Sequence, residues 1–139
     1  MQINRGTEYA IRAALFLARQ KADTPVMLAA VAEAIGAPAN YLSNILQALA
    51  RFQIVQSHRG ARRGYTLARP RSEIDLLQIT EALEGPLAVN CCSTSQEGAC
   101  PMSEGCPITA VFDDLQSYIR DRLASARLDV LLGPGRAEQ

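Results

Sequence analysis

Apolar side chains recur at three- and four-residue spacing over residues 7–20, where Tyr9, Ile11, Ala14, Leu15, Leu17 and Ala18 predict a helix with one buried face. The polar stretch KADTP ends it, and MLAAVAEAIG predicts a short second helix stopped by Gly36. After the tight Ala37-Pro38 restart, ANYLSNILQALARFQ predicts a third helix. Leu42, Ile45, Leu46 and Leu49 line one stripe of it, leaving Asn40, Tyr41, Ser43 and Asn44 on other faces. Two short β-prone runs follow, IVQSHR and GYTLARP. The Gly- and Arg-rich RGARRG joins them into a hairpin with a positive tip.

Beyond Pro70 the helical period returns in IDLLQITEALEG, and a Gly-, Ser- and Pro-rich loop then runs to Cys106. From Pro107 onward PITAVFDDLQSYIRDRLASARLDVLL predicts one long helix, since proline is tolerated in a first turn where its missing N–H is not needed. Ile108, Phe112, Leu115, Ile119, Leu123, Ala126 and Val130 form a continuous apolar seam on it. Such a seam on a terminal helix calls for a partner: it could fold back on its own domain, while its length and acidic outer face favour a second copy of the chain. The expected organisation is a region of three helices and a hairpin over residues 1–72, a linking helix and cysteine loop over 73–106, a dimerisation helix over 107–132 and a flexible tail over 133–139.

Composition agrees with a mostly α protein carrying a small β-hairpin wing. Hydrophobic residues make up 48% of the 139 positions and aromatic ones only 5%, with alanine and leucine abundant. The N-terminal apolar stretch is interrupted by charge and reads as an amphipathic helix, not a leader or a membrane span. A cytoplasmic protein with no membrane partner is expected. The net charge of zero conceals two unlike halves. Residues 1–72 hold ten Lys/Arg against three acids, and residues 73–139 hold four against eleven. No acidic residue occurs between Ile35 and Ser72. A basic half of this kind suits a polyanion.

Paired short helices followed by a basic hairpin describe a winged helix-turn-helix, whose third helix enters a major groove of double-stranded promoter DNA. Asn40, Tyr41, Ser43 and Asn44 are the candidate base-reading residues, and Arg59, Arg62 and Arg63 the candidate wing contacts to phosphate or minor groove. Tyr41 could instead pack beneath the wing and Asn40 could cap its helix. His58, the single histidine, suits a phosphate contact or a solvated position better than metal ligation. It cannot complete a Ser/His/Asp set, and no phosphate-cradling loop appears, so an enzyme is not expected.

All four cysteines fall within residues 91–106. In a reducing compartment such clustering favours metal or redox chemistry over structural disulfides. Short polar spacers let three thiolates wrap one metal centre. Cys92, Cys100 and Cys106 are separated by seven and five residues; Cys91 is the alternative first ligand and gives eight and five. Zinc, a metal-free thiol–disulfide switch and an inert loop stay open on spacing alone. Paired CxxC knuckles, the usual mark of structural zinc, are missing.

With TEYAIRAALFLA, the helix-turn-helix, the RGxxxGYxL wing and the CxxxxxxxCxxxxxC loop before a long helix, residues 1–132 resemble the Rrf-two family of bacterial transcription regulators. Within it they are most similar to the iron–sulfur sensor branch. The resemblance implies a homodimeric repressor with crossed long helices. An iron–sulfur cluster, [4Fe-4S] favoured over [2Fe-2S], would control its DNA affinity in response to nitric oxide, redox state or iron. It further implies that Glu8, contributed by the other subunit, is the fourth ligand beside the three cysteines. Two departures stand out. Arg63-Gly64 replaces a Gly-Gly pair in the wing, and Thr109 stands where some relatives place a ligand histidine. The alternative is a metal-free winged-helix regulator gated by cysteine oxidation or by a partner protein.

Overall fold

In a computed structural model the described residues are 3–90, 102 and 104–134. Among these residues six α-helices, two strands and one 3-10 turn follow in the order α1 Arg5–Arg19, α2 Leu28–Ile35, α3 Ala39–Arg51, β1 Val55–His58, β2 Gly64–Leu67, the turn Arg71–Glu73, α4 Leu76–Glu84, α5 Thr109–Ser125 and α6 Leu128–Leu132.

Helix α1 starts at Asn4, whose Oδ1 accepts the Thr7 N–H at 2.9 Å and so satisfies one of the orphan donors of the first turn. Its small buried side chains, Ala10, Ala13, Ala14 and Ala18, let neighbouring helices approach closely. Around them Val31 of α2, Leu42, Leu46 and Leu49 of α3 and Ile79 of α4 close a single core. Gly36 ends α2 in the left-handed conformation, at φ 71°, which lets α3 leave at a sharp angle. The predicted helix stripe Leu42, Ile45, Leu46, Leu49 is buried as expected.

β1 and β2 pair antiparallel with Val55 opposite Leu67 and His58 opposite Gly64. A third segment joins them. Val26, just ahead of α2, exchanges both backbone hydrogen bonds with Tyr65, at 3.0 and 2.8 Å. Gly64 makes that approach possible: it sits at φ 141°, and a Cβ there would stand 2.6 Å from the Val26 carbonyl oxygen.

The C-terminal region departs from the expected single helix. α5 ends at Ser125, Arg127 is extended, and the chain turns back into α6. Leu76 N–H donates to the Ala126 carbonyl at 3.1 Å and Leu128 N–H to the Ile74 carbonyl at 2.9 Å, so the break is held as a short antiparallel bridge. The physical cause is burial. Leu128 and Leu132 enter the core beside α1, which an unbroken helix would not allow. The apolar seam therefore divides. Phe112, Ile119 and Leu123 are half-buried on the side where Arg120 meets Glu81 of α4 at 2.6 Å. Ile108 and Leu115 are exposed together with Val111 and Tyr118, Ala126 is buried, and Val130 lies exposed on α6.

Candidate functional site: a basic winged face and a cysteine loop

The face opposite the α3 core stripe is built of polar side chains. Asn40, Asn44, Gln47 and Arg51 are exposed at spacings of four, three and four, which sets them in one row. Ser43 is half-exposed at its edge. Asn40 does not cap the helix; Pro38 holds the cap position, and Asn40 Oδ1 accepts the Tyr41 N–H at 3.0 Å. Tyr41 packs on α1 and not under the wing. Its ring meets Tyr9 edge-on, with centroids 5.9 Å apart, and its hydroxyl closes over Gly6, yet it keeps 42% exposure. Both an anchoring and a DNA-facing role are thus open to this one residue. Gln47 and Arg51 belong to the same face and were not among the residues expected there. The signal for them was present in their spacing from Asn40.

Arg59, Arg62 and Arg63 are all exposed at the hairpin tip, among Gly60 and Ala61. Three cations on so short a turn, with no acid nearby in sequence, form a positive projection beside α3. His58 is more settled than expected, since its Nε2 lies 2.8 Å from the Thr66 hydroxyl across the hairpin. Two further arginines of the basic stretch are structural. Arg69 donates to the Gln53 carbonyl, the Glu73 carbonyl and Gln78 Oε1, locking the base of the wing to α4, and Arg71 reaches the Ala18 carbonyl at 3.5 Å.

A side-chain hydrogen bond ties α1 to the end of α4. Thr7, fully buried in α1, can donate its hydroxyl to Glu84 Oε2 at 2.9 Å or to Asn4 Oδ1 at 3.2 Å. Glu84 is the last residue of α4 before the chain departs toward the cysteines. The departing segment is pinned as well. Leu87 N–H reaches Glu81 Oε1 at 3.4 Å, and Val89 N–H reaches Gln116 Oε1 of α5 at 3.2 Å.

Cys91, Cys92 and Cys100 lie outside the described residues. Cys106 is half-exposed with a free thiol, three residues ahead of α5, and its carbonyl accepts the Thr109 N–H at 3.3 Å. The Thr109 hydroxyl is buried without a hydrogen-bond partner. A free thiol for ligation and an unused donor beside it both suit a sulfur-rich group. Glu8 is exposed in the first turn of α1. Among the described residues no three His, Cys, Asp or Glu side chains come together as a metal-holding group. No helix among these residues is long and apolar enough to cross a membrane.

A family model described as Rrf2, iron-dependent transcriptional regulator, matches residues 3–134. The chain belongs to the Rrf2 family. The family and curated relatives that the chain matches are described as transcriptional regulators. A putative HTH-type transcriptional regulator of Mycobacterium tuberculosis is 40% identical over 63% of the chain; that match spans 55% of the relative, so the chain aligns with about half of its length. The regulator IscR of Photorhabdus laumondii is 30% identical over 95% of the chain and 79% of its own length. Among solved structures, T. potens IscR superimposes with a TM-score of 0.75 at 26% identity, over 95% of this chain and 86% of that one. The cysteine regulator CymR of B. subtilis does so with a TM-score of 0.75 at 23% identity, covering 94% and 95%, a likeness of fold alone. The winged helical fold of these Rrf2 regulators is the one described above.

Proposed function

We propose that this Rrf2 regulator is a homodimeric repressor that binds double-stranded promoter DNA through α3 and the arginine wing. An iron–sulfur cluster, [4Fe-4S] in preference to [2Fe-2S], governs its affinity. The observation that carries the reading is the exposed α3 row of Asn40, Asn44, Gln47 and Arg51 together with the exposed wing arginines, in a chain that also holds a free, half-exposed Cys106. Cys92, Cys100 and Cys106 hold the cluster, with Cys91 as the alternative to Cys92, and Glu8 of a second copy completes the set. When bound, the cluster supplies a site whose loss or nitrosylation answers to nitric oxide, redox state or iron.

The chain's own residues convert that event into a change of DNA affinity. Glu84 ends the helix that leads to the cysteine loop and shares a hydrogen bond with α1, and α1 packs on α3 through Tyr9 and Tyr41. Loss of the cluster loosens this path and shifts the population away from the DNA-competent arrangement. The exposed row of Ile108, which caps α5, and Val111, Leu115 and Tyr118 on it seats the second copy, since apolar positions at this spacing on a helix favour a partner helix over water. Cytoplasmic location follows from the DNA target.

Anaerobic purification, visible absorption and iron and sulfide analysis test the reading, together with a promoter-DNA shift before and after nitric oxide. Glu8→Ala is expected to lower iron retention per protomer; equal retention removes Glu8 from the ligand set. The second reading, a metal-free thiol switch, is favoured by the accessible Cys106 thiol. A colourless, iron-free protein whose DNA binding responds to oxidant would establish it.

A further inference from the structure

The outward row of α3 has a chemical bias that bears on which bases it meets. It presents amides at Asn40, Asn44 and Gln47, and its one cation, Arg51, stands in the last turn. No carboxylate occurs anywhere in the helix. Asn40 Oδ1 is already engaged by the Tyr41 N–H. Asn44 and Gln47 are exposed, and among the described residues no hydrogen bond engages either amide.

In the major groove guanine offers two acceptors and is matched by a cation, cytosine offers a donor and is matched by a carboxylate, and adenine offers one of each. An amide carries one donor group and one acceptor in a plane, so it pairs with adenine N6 and N7 in a bidentate way. With no carboxylate on α3 and no cation before its last turn, adenine is the base this surface discriminates best. The spacing adds a position. Residues three apart stand ~4.5 Å apart along a helix axis, against ~3.4 Å between base pairs, so the two amides reach successive pairs.

Resting on the DNA-binding reading above, we propose that Asn44 and Gln47 read adenines at two neighbouring base pairs of each half-site, while Arg51 contacts the flanking phosphate. The assignment is testable by selecting binding sites from a randomised duplex pool with the anaerobically purified full-length protein, with Asn44→Ala and with Gln47→Ala. The wild type should converge on A·T at two adjacent positions. Each variant should lose a discrimination of about 5- to 150-fold at one of them. Replacing the adenine by 7-deazaadenine, which lacks N7, should weaken the wild type and leave the matching variant unaffected. Convergence on G·C at those positions overturns the proposal, as does an unaltered profile in both variants while salt-dependent binding persists. A wild type that binds no duplex in a salt-dependent way overturns the DNA-binding reading, and the proposal with it.

Discussion

Leu128→Ala tests why the C-terminal region breaks into two helices. Leu128 is fully buried, and its own N–H closes the bridge to Ile74. Truncation removes three side-chain carbons from the core, a transfer loss of about 2.4 kcal/mol at about 0.8 kcal/mol for each. The cavity left behind raises the expected total to about 3–4 kcal/mol. For a domain of this size that is a fall in Tm of roughly 10 °C or more. Val130, two residues on and 55% exposed, is the control. Val130→Ala should stay within about 0.5 kcal/mol. Urea titration followed by circular dichroism, repeated at several protein concentrations, separates the intrinsic loss from any effect on assembly. If the region were one straight helix with Val130 in the seam, the ranking would reverse. A larger loss for Val130→Ala than for Leu128→Ala refutes the fold-back.

Gly64→Ala should destabilise by about 1–3 kcal/mol from backbone strain alone, and more once the Val26 carbonyl is displaced; a urea midpoint equal to wild type would show that the wing tolerates a side chain there. Arg62→Ala combined with Arg63→Ala should reduce the slope of log affinity against log salt by about 0.9 for each phosphate that is no longer neutralised, and an unchanged slope would remove these residues from the interface. Leu115→Asp should shift sedimentation from dimer to monomer while leaving helix content intact, because Leu115 contributes to no buried core within one chain. A dimer that persists at the same concentrations would place the interface elsewhere.

The helix-turn-helix was legible because its apolar stripes are unambiguous. Leu42, Ile45, Leu46 and Leu49 can be buried together only on a helix, and Gly36 and Pro38 mark where the chain turns. The candidate reading face was legible in part, since Asn40, Tyr41, Ser43 and Asn44 fall outside that stripe. Gln47 and Arg51 obey the same period and were recoverable from it. Other assignments depended on distant partners. Arg69 resembles a wing arginine in sequence, yet its guanidinium is committed to Gln53, Glu73 and Gln78. Tyr41 finds Tyr9, thirty-two positions earlier, across the packing of α1 on α3.

Local chemistry by itself determined the order of helices and strands as far as α4, the basic character of the first half and the confinement of every cysteine to residues 91–106. These follow from period, turn residues and charge, all of which act over a few positions. Only the tertiary structure decided which apolar residues of the last thirty belong to the core. Residues 107–132 carry a helical period throughout, and period cannot say where a helix should stop. Burial of Leu128 and Leu132, secured by backbone bonds from Leu76 and Leu128, outweighs the continuity of the helix. The same packing leaves Val111, Leu115 and Tyr118 outward on α5, so the fold itself separates the residues that stabilise one chain from those free to meet a second.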